Sequence, residues 1–146
     1  MKKLYLHILK VDKDDKIASE TRKQTNHHYK KIDNNMYNVG LLTVKINNII
    51  VVDIDVKDDG LEEWTKYTNE YSDPLTIKSM TPTGGYHYFF KYTSTNEDDN
   101  YLIDNYLKKK SKYRNGNGID IRANGGYAII EPSIYPHGKY EFIEIR

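Results

Sequence analysis

The sequence predicts an α+β fold, mostly antiparallel strands with a few helices, and three observations predict it. Residues 49–52 read Ile-Ile-Val-Val, a β-branched run expected of a central strand covered on both faces. Residues 86–92 are rich in aromatics, another strand signature. Leu61, Trp64 and Tyr67 stand three apart, the spacing of one helical face.

The elements follow in order. Residues 3–11 predict a first strand, and the acidic cluster at 12–15 a turn. Residues 17–33 are polar with scattered Ile17, Ala18 and Tyr29, a weak helix pattern. Residues 37–44 and 47–56 predict two strands around a short Asn-rich turn. Gly60 leads into a helix over 61–67, and residues 75–79 and 86–92 predict strands flanking Thr81-Pro82-Thr83-Gly84-Gly85. Residues 96–100 predict an exposed acidic loop and 101–110 a short helix with a basic end. Residues 118–122 and 127–130 predict a hairpin joined through Ala123-Asn124-Gly125-Gly126. Residues 140–145 predict a last strand. No linker or low-complexity stretch splits the chain, so one domain is expected over 1–146.

The chain carries 22 Lys and Arg against 21 Asp and Glu, a net charge of +1. Any grip on nucleic acid must therefore be local. Hydrophobic residues make up 38% and the mean hydropathy is -0.80. No apolar stretch approaches the roughly 18 residues of a membrane helix, and residues 1–7 lack the pattern of a signal peptide. With no cysteine there is no disulfide, thiol nucleophile or Cys-bound zinc. No P-loop motif occurs.

Four segments could carry chemistry. Asp53 and Asp55 are two apart after an apolar run, so they share a face near a strand end. Paired carboxylates repel, and a divalent cation relieves that; a strand simply ending in solvent is the bland alternative. Thr83, Gly84 and Gly85 could bring backbone N–H groups to an anion, with His87 on the following strand reaching a phosphate; an ordinary turn explains them too. Asp120 and Arg122 share a face, either as a plain ion pair or as a metal ligand beside a triphosphate contact. Lys108, Lys109, Lys110, Lys112 and Arg114 form a basic run that could follow a phosphate backbone or be a solvated face. His27-His28 and His137 look incidental.

Taken in order, these segments resemble the bifunctional primase–polymerase (prim-pol) domain of the archaeo-eukaryotic primase superfamily. The resemblance runs from about Asn38 to Tyr140. It rests on Val52-Asp53-Ile54-Asp55, on Thr81-Pro82-Thr83-Gly84-Gly85-Tyr86-His87, on Gly118-Ile119-Asp120-Ile121-Arg122, on Gly125-Gly126-Tyr127 and on Pro132-Ser133 before Gly138-Lys139-Tyr140. Thr83 stands where the family often has serine. Glu131 stands where it often has proline, which adds a negative charge near the implied site.

The resemblance implies a primase-like catalytic core: an RRM-like palm over about 47–146 and a smaller N-terminal α/β half over about 1–46. It implies a nucleotidyltransferase, a DNA primase/polymerase performing template-directed, two-metal transfer in replication. Asp53, Asp55 and Asp120 would be catalytic ligands of Mg²⁺ or Mn²⁺. His87, Arg122, Thr83, Gly84 and Gly85 would bind the nucleotide. Expected partners are single-stranded or primed DNA, nucleoside triphosphates and a helicase domain in a longer polypeptide, with no membrane. The expected setting is intracellular: host-cell cytoplasm, or a viral or plasmid replication site. The alternative is a non-catalytic nucleic-acid- or nucleotide-binding module of a primase–helicase. A nicking initiator is disfavoured, because its two histidines should be separated by an apolar residue and His27-His28 are adjacent.

Overall fold

The computed structural model describes residues 6–14, 32–43, 47–92, 112–114, 118–123 and 126–143. In chain order the elements begin with β1 (Ile8–Val11), β2 (Asn38–Leu42), β3 (Ile49–Ile54) and a 3-10 turn (Lys57–Asp59) leading into α1 (Gly60–Tyr71). Next come β4 (Lys78–Met80), β5 (Tyr86–Lys91), β6 (Lys112–Arg114), β7 (Ile119–Arg122) and β8 (Tyr127–Ile130). The last strands are β9 (Ile134–Tyr135), β10 (Gly138–Lys139) and β11 (Glu141–Ile143). The architecture is mixed, as an α+β reading requires. The helix expected over 17–33, the acidic loop at 96–100 and the helix expected over 101–110 lie outside the described residues, except that 32 and 33 are described and not helical.

Six strands form an antiparallel sheet in the order β11-β4-β5-β3-β7-β6. β3 sits inside it between β5 and β7, with Val51 and Val52 of its β-branched run paired on both edges, which is the position its sequence predicts. Alternation along the strands gives this sheet two covered faces. On one face Trp64 of α1 packs against Tyr88, ring centroids 4.9 Å apart. Tyr88 also donates a 2.7 Å hydrogen bond to Asp73, anchoring the end of the helical segment. Burial, together with the Asp73 carboxylate, pushes the Tyr88 hydroxyl up to about 12.

On the opposite face Val51 and Phe89, level with each other across β3 and β5, join a core with Val39, Leu41, Ala128 and Ile130. Those last four belong to a second, three-stranded sheet ordered β1-β2-β8. The layers are therefore helix, six-stranded sheet and three-stranded sheet. Among the described residues no helix is long and apolar enough to cross a membrane.

One expectation is corrected. The segments 118–122 and 127–130 do not form a hairpin: β7 pairs with β3 and β6, while β8 pairs with β2 in the other sheet. Both edges of β7 are already taken, so β8 has no edge of it to use. Ala123 is fully buried, its carbonyl accepting from the Thr43 hydroxyl, and the Gly126 carbonyl accepts from the Thr43 N–H at 3.0 Å. The glycine-rich link thus carries the chain from one sheet to the other. The strand expected over 75–79 is also shorter and later, at Lys78–Met80, and Leu75 is 90% exposed.

The exit of β3 is tight. Asp55 N–H donates to the Gly118 carbonyl at 2.8 Å, and a Cβ on Gly118 would stand 2.6 Å from Gly60 N and Lys57 O. Gly118 also has φ +78, a conformation that penalises any side chain. Gly84 has φ +89, yet the nearest atom to its Cβ position is 4.0 Å away. Gly84→Ala should therefore cost only the backbone term, about 1 kcal/mol. Gly118→Ala adds a clash with main chain and should cost roughly 3 kcal/mol. Urea-unfolding midpoints of the two variants measure the difference; equal costs would contradict this packing.

Candidate functional site

The register of the six-stranded sheet lines up one row of residues. His87 of β5 stands level with Asp53 of β3, and Asp53 is level with Asp120 of β7. Ser79 of β4 continues the row beyond His87. Residues directly opposite in a sheet project to the same face, so these groups meet. Arg122, two residues after Asp120, is on that face as well. It is level with Val51.

The contacts centre on Asp53. Its Oδ1 lies 3.3 Å from His87 Nε2, and its Oδ2 accepts from Arg122 Nη2 at 3.2 Å. Burial alone pushes this carboxyl up, but His87 and Arg122 outweigh it and hold it at about 2. His87 is buried, its ring tilted against Tyr140 at 5.7 Å and edge-on to Phe89 at 6.4 Å. Its Nδ1 is buried with no hydrogen-bond partner among the described residues. Burial, then the charges of Tyr135 and Asp53, push the Tyr140 hydroxyl far up, so it stays neutral behind the row. Asp120 is buried beside Asp53.

Asp55 lies just past the end of β3, exposed, with Lys57 N–H donating to its Oδ1 at 3.4 Å. It is adjacent to the row, not inside it. Among the described residues no three of His, Asp or Glu are close enough together to enclose a cation.

The turn between β4 and β5 carries Thr83, Gly84 and Gly85. Gly84 N–H donates to the Thr81 carbonyl at 3.0 Å, and Gly85 N–H to Thr81 Oγ1 at 3.1 Å. Both N–H groups expected to meet an anion are thus engaged within the turn. Gly85 has a second reason to be glycine: its Cβ would stand 2.2 Å from the Ile54 carbonyl oxygen. The turn is pressed against the end of β3, next to the acids.

Of the basic run, Lys112 and Arg114 lie on edge strand β6, level with Arg122 and Asp120 respectively. Lys108, Lys109 and Lys110 lie outside the described residues, as do His27 and His28. His137 is in the exposed β9–β10 turn.

Sequence reasoning missed two residues that shape the site. Thr81 organises the glycine turn, and its place four residues before Gly85 is the signal that could have found it. Tyr140 backs His87 from 53 positions away, a contact made by folding alone. Ser133, by contrast, serves the other sheet: its Oγ accepts from Val39 N–H at 2.8 Å.

A model of the Prim-Pol family, described as "Bifunctional DNA primase/polymerase, N-terminal", matches residues 11–146. No curated protein matches the chain.

The depressed Asp53 group makes a pH prediction. Its stabilising contribution is present above about pH 3.8 and is lost as pH falls through about 2. Between pH 5 and 2 the native protein should lose about 2 kcal/mol more stability than Asp53→Asn. Urea titrations at the two pH values measure this; parallel losses would contradict the ion-pair geometry.

Proposed function

The chain belongs to the Prim-Pol family of bifunctional DNA primase/polymerase N-terminal domains, and on that premise we propose that it is a template-directed nucleotidyltransferase whose centre is the row His87–Asp53–Asp120. Family membership gives the general function, DNA priming and polymerisation, with DNA and nucleotides as substrates. The finer reading rests on one observation: two buried or part-buried carboxylates in register on neighbouring strands, flanked by an imidazole and a guanidinium.

We read the six-stranded sheet as an RRM-like palm. The order β4-β5-β3-β7, with α1 crossing from β3 to β4, is the split βαβ arrangement of that fold. The three-stranded sheet is then the smaller half, with β1 and β2 completed by β8 from late in the chain. The two parts together make one domain.

The donors suit a hard divalent cation: they are carboxylate oxygens, with no thiol and no imidazole cluster. Mg²⁺ or Mn²⁺ would be held by Asp53 and Asp120, with Asp55 at the strand exit. Such ions keep few protein ligands because substrate phosphates supply the rest, which agrees with a row of two acids and a third nearby. When bound, two such ions stabilise the attacking and leaving oxygens of phosphoryl transfer. The 3′-hydroxyl of the growing strand attacks the α-phosphate, a phosphodiester bond forms, and pyrophosphate leaves.

The chain's own residues position the triphosphate. Arg122 supplies a guanidinium suited to phosphate oxygens. His87 is buried against Tyr140 and Phe89 and presents its imidazole at the row. Thr83, on the exposed rim of the turn, adds a hydroxyl, Gly84 supplies the positive φ of the turn, and Gly85 lets the turn approach Ile54, next to the acids. Lys112 and Arg114 belong to the edge strand beside β7, and with Lys108, Lys109 and Lys110 upstream they would supply the basic run that follows a nucleic-acid backbone. A helicase part of a longer polypeptide would be the partner in replication.

Extension of a labelled primer on a DNA template, with Mg²⁺ or Mn²⁺, tests this. The native protein should incorporate nucleotides, and folded Asp53→Ala and Asp120→Ala should lose activity about 10²-fold or more. Substantial activity in a folded Asp53→Ala protein would overturn the assignment. Metal-dependent nucleotide binding without incorporation by the native protein would favour the non-catalytic module.

A further inference from the structure

We infer that Arg122 is an exchangeable counter-ion: it pairs with Asp53 while no divalent cation is bound and leaves Asp53 for the nucleotide's phosphates when one binds. This rests on the reading of the acid row as a metal site.

Both carboxylate oxygens of Asp53 are engaged, Oδ1 by His87 and Oδ2 by Arg122. A cation that takes Asp53 as a ligand needs at least one of them. His87 cannot give way easily. Its side chain is 6% exposed, and its ring lies against Tyr140 and edge-on to Phe89.

Arg122 can. Its side chain is 31% exposed, so its guanidinium has water to move into. Its contact with Asp53 is through one nitrogen at 3.2 Å, longer than the roughly 2.7–2.9 Å of a strong charge-assisted bond. The long, flexible side chain is anchored two residues beyond Asp120, so after release it still sweeps the same face.

The exchange does two things at once. Arg122 compensates the part-buried Asp53 charge in the free protein, where an unpaired carboxylate would be costly. It also competes with the cation, because metal binds only the fraction of molecules in which Asp53 is released. A triphosphate that captures Arg122 removes the competitor. Cation and nucleotide then strengthen each other's binding reciprocally.

Calorimetric titration with Mn²⁺ alone, in the absence of nucleotide, tests this on the whole chain. Folded Arg122→Met should bind Mn²⁺ about fivefold tighter than the native protein. Lys139→Met removes an equal charge from an exposed lysine whose ammonium faces Glu141 and should leave affinity unchanged. Arg122→Gln serves the same purpose if the Met variant does not fold. A non-hydrolysable nucleoside triphosphate should tighten Mn²⁺ binding to the native protein by a larger factor than to Arg122→Met. Unchanged or weaker Mn²⁺ binding by the Arg122 variants, or an equal gain in Lys139→Met, overturns the exchange while leaving the metal site intact. No Mn²⁺ binding by the native protein overturns both.

Discussion

The register that pairs β3 with β7 brings Asp53 level with Asp120, and like charges at opposed positions in a sheet repel. The surrounding structure is arranged around that repulsion. His87 arrives from the other side of β3, and Arg122 from two residues further along β7, each on one oxygen of Asp53. The backbone closes in to hold the register. Gly85 lets the β4–β5 turn touch Ile54, and Gly118 lets β7 begin against the N-terminal end of α1. The three-stranded sheet and Tyr140 lie on the face of the row, His87 and Asp120 are both buried, and Arg122 beside them keeps a part-exposed side chain.

A stable sheet has no need of this arrangement. Apolar residues at 53 and 120 would pack there without any counter-ion, and replacing buried ion pairs by apolar groups is often neutral or stabilising. Two acids kept level in such a position, one of them held by an imidazole and a guanidinium, are what the proposed phosphoryl-transfer site would require. The family to which the chain belongs gives that chemistry its substrates.

Much of this was legible in the sequence, and the reasons differ by residue. β3 was legible because four β-branched residues in a row have few places to go but the middle of a sheet. Asp120 and Arg122 were legible as a same-face pair because a strand's period is two. That Arg122 would point at Asp53 was not legible, since register is a property of two strands and neither alone encodes it. The β7–β8 hairpin failed for the same reason. Ala123-Asn124-Gly125-Gly126 has turn chemistry, but the local signal cannot know that both edges of β7 are taken. The glycines of the β4–β5 turn allow either an anion cradle or an ordinary turn in sequence; folded, their N–H groups bond within the turn, and the missing side chain of Gly85 allows close approach to Ile54. Tyr140 was illegible because its partner lies in another part of the chain.

The account stands on Asp53 and Asp120 being the place where a divalent cation binds. Paramagnetic broadening by substoichiometric Mn²⁺ in ¹H–¹⁵N spectra of the native protein tests this most directly. The amides around Asp53, His87 and Asp120 should broaden first, and the exposed acids Asp58, Asp59 and Glu62 should follow only at excess. Broadening that begins at those surface acids and spares the row would contradict the account.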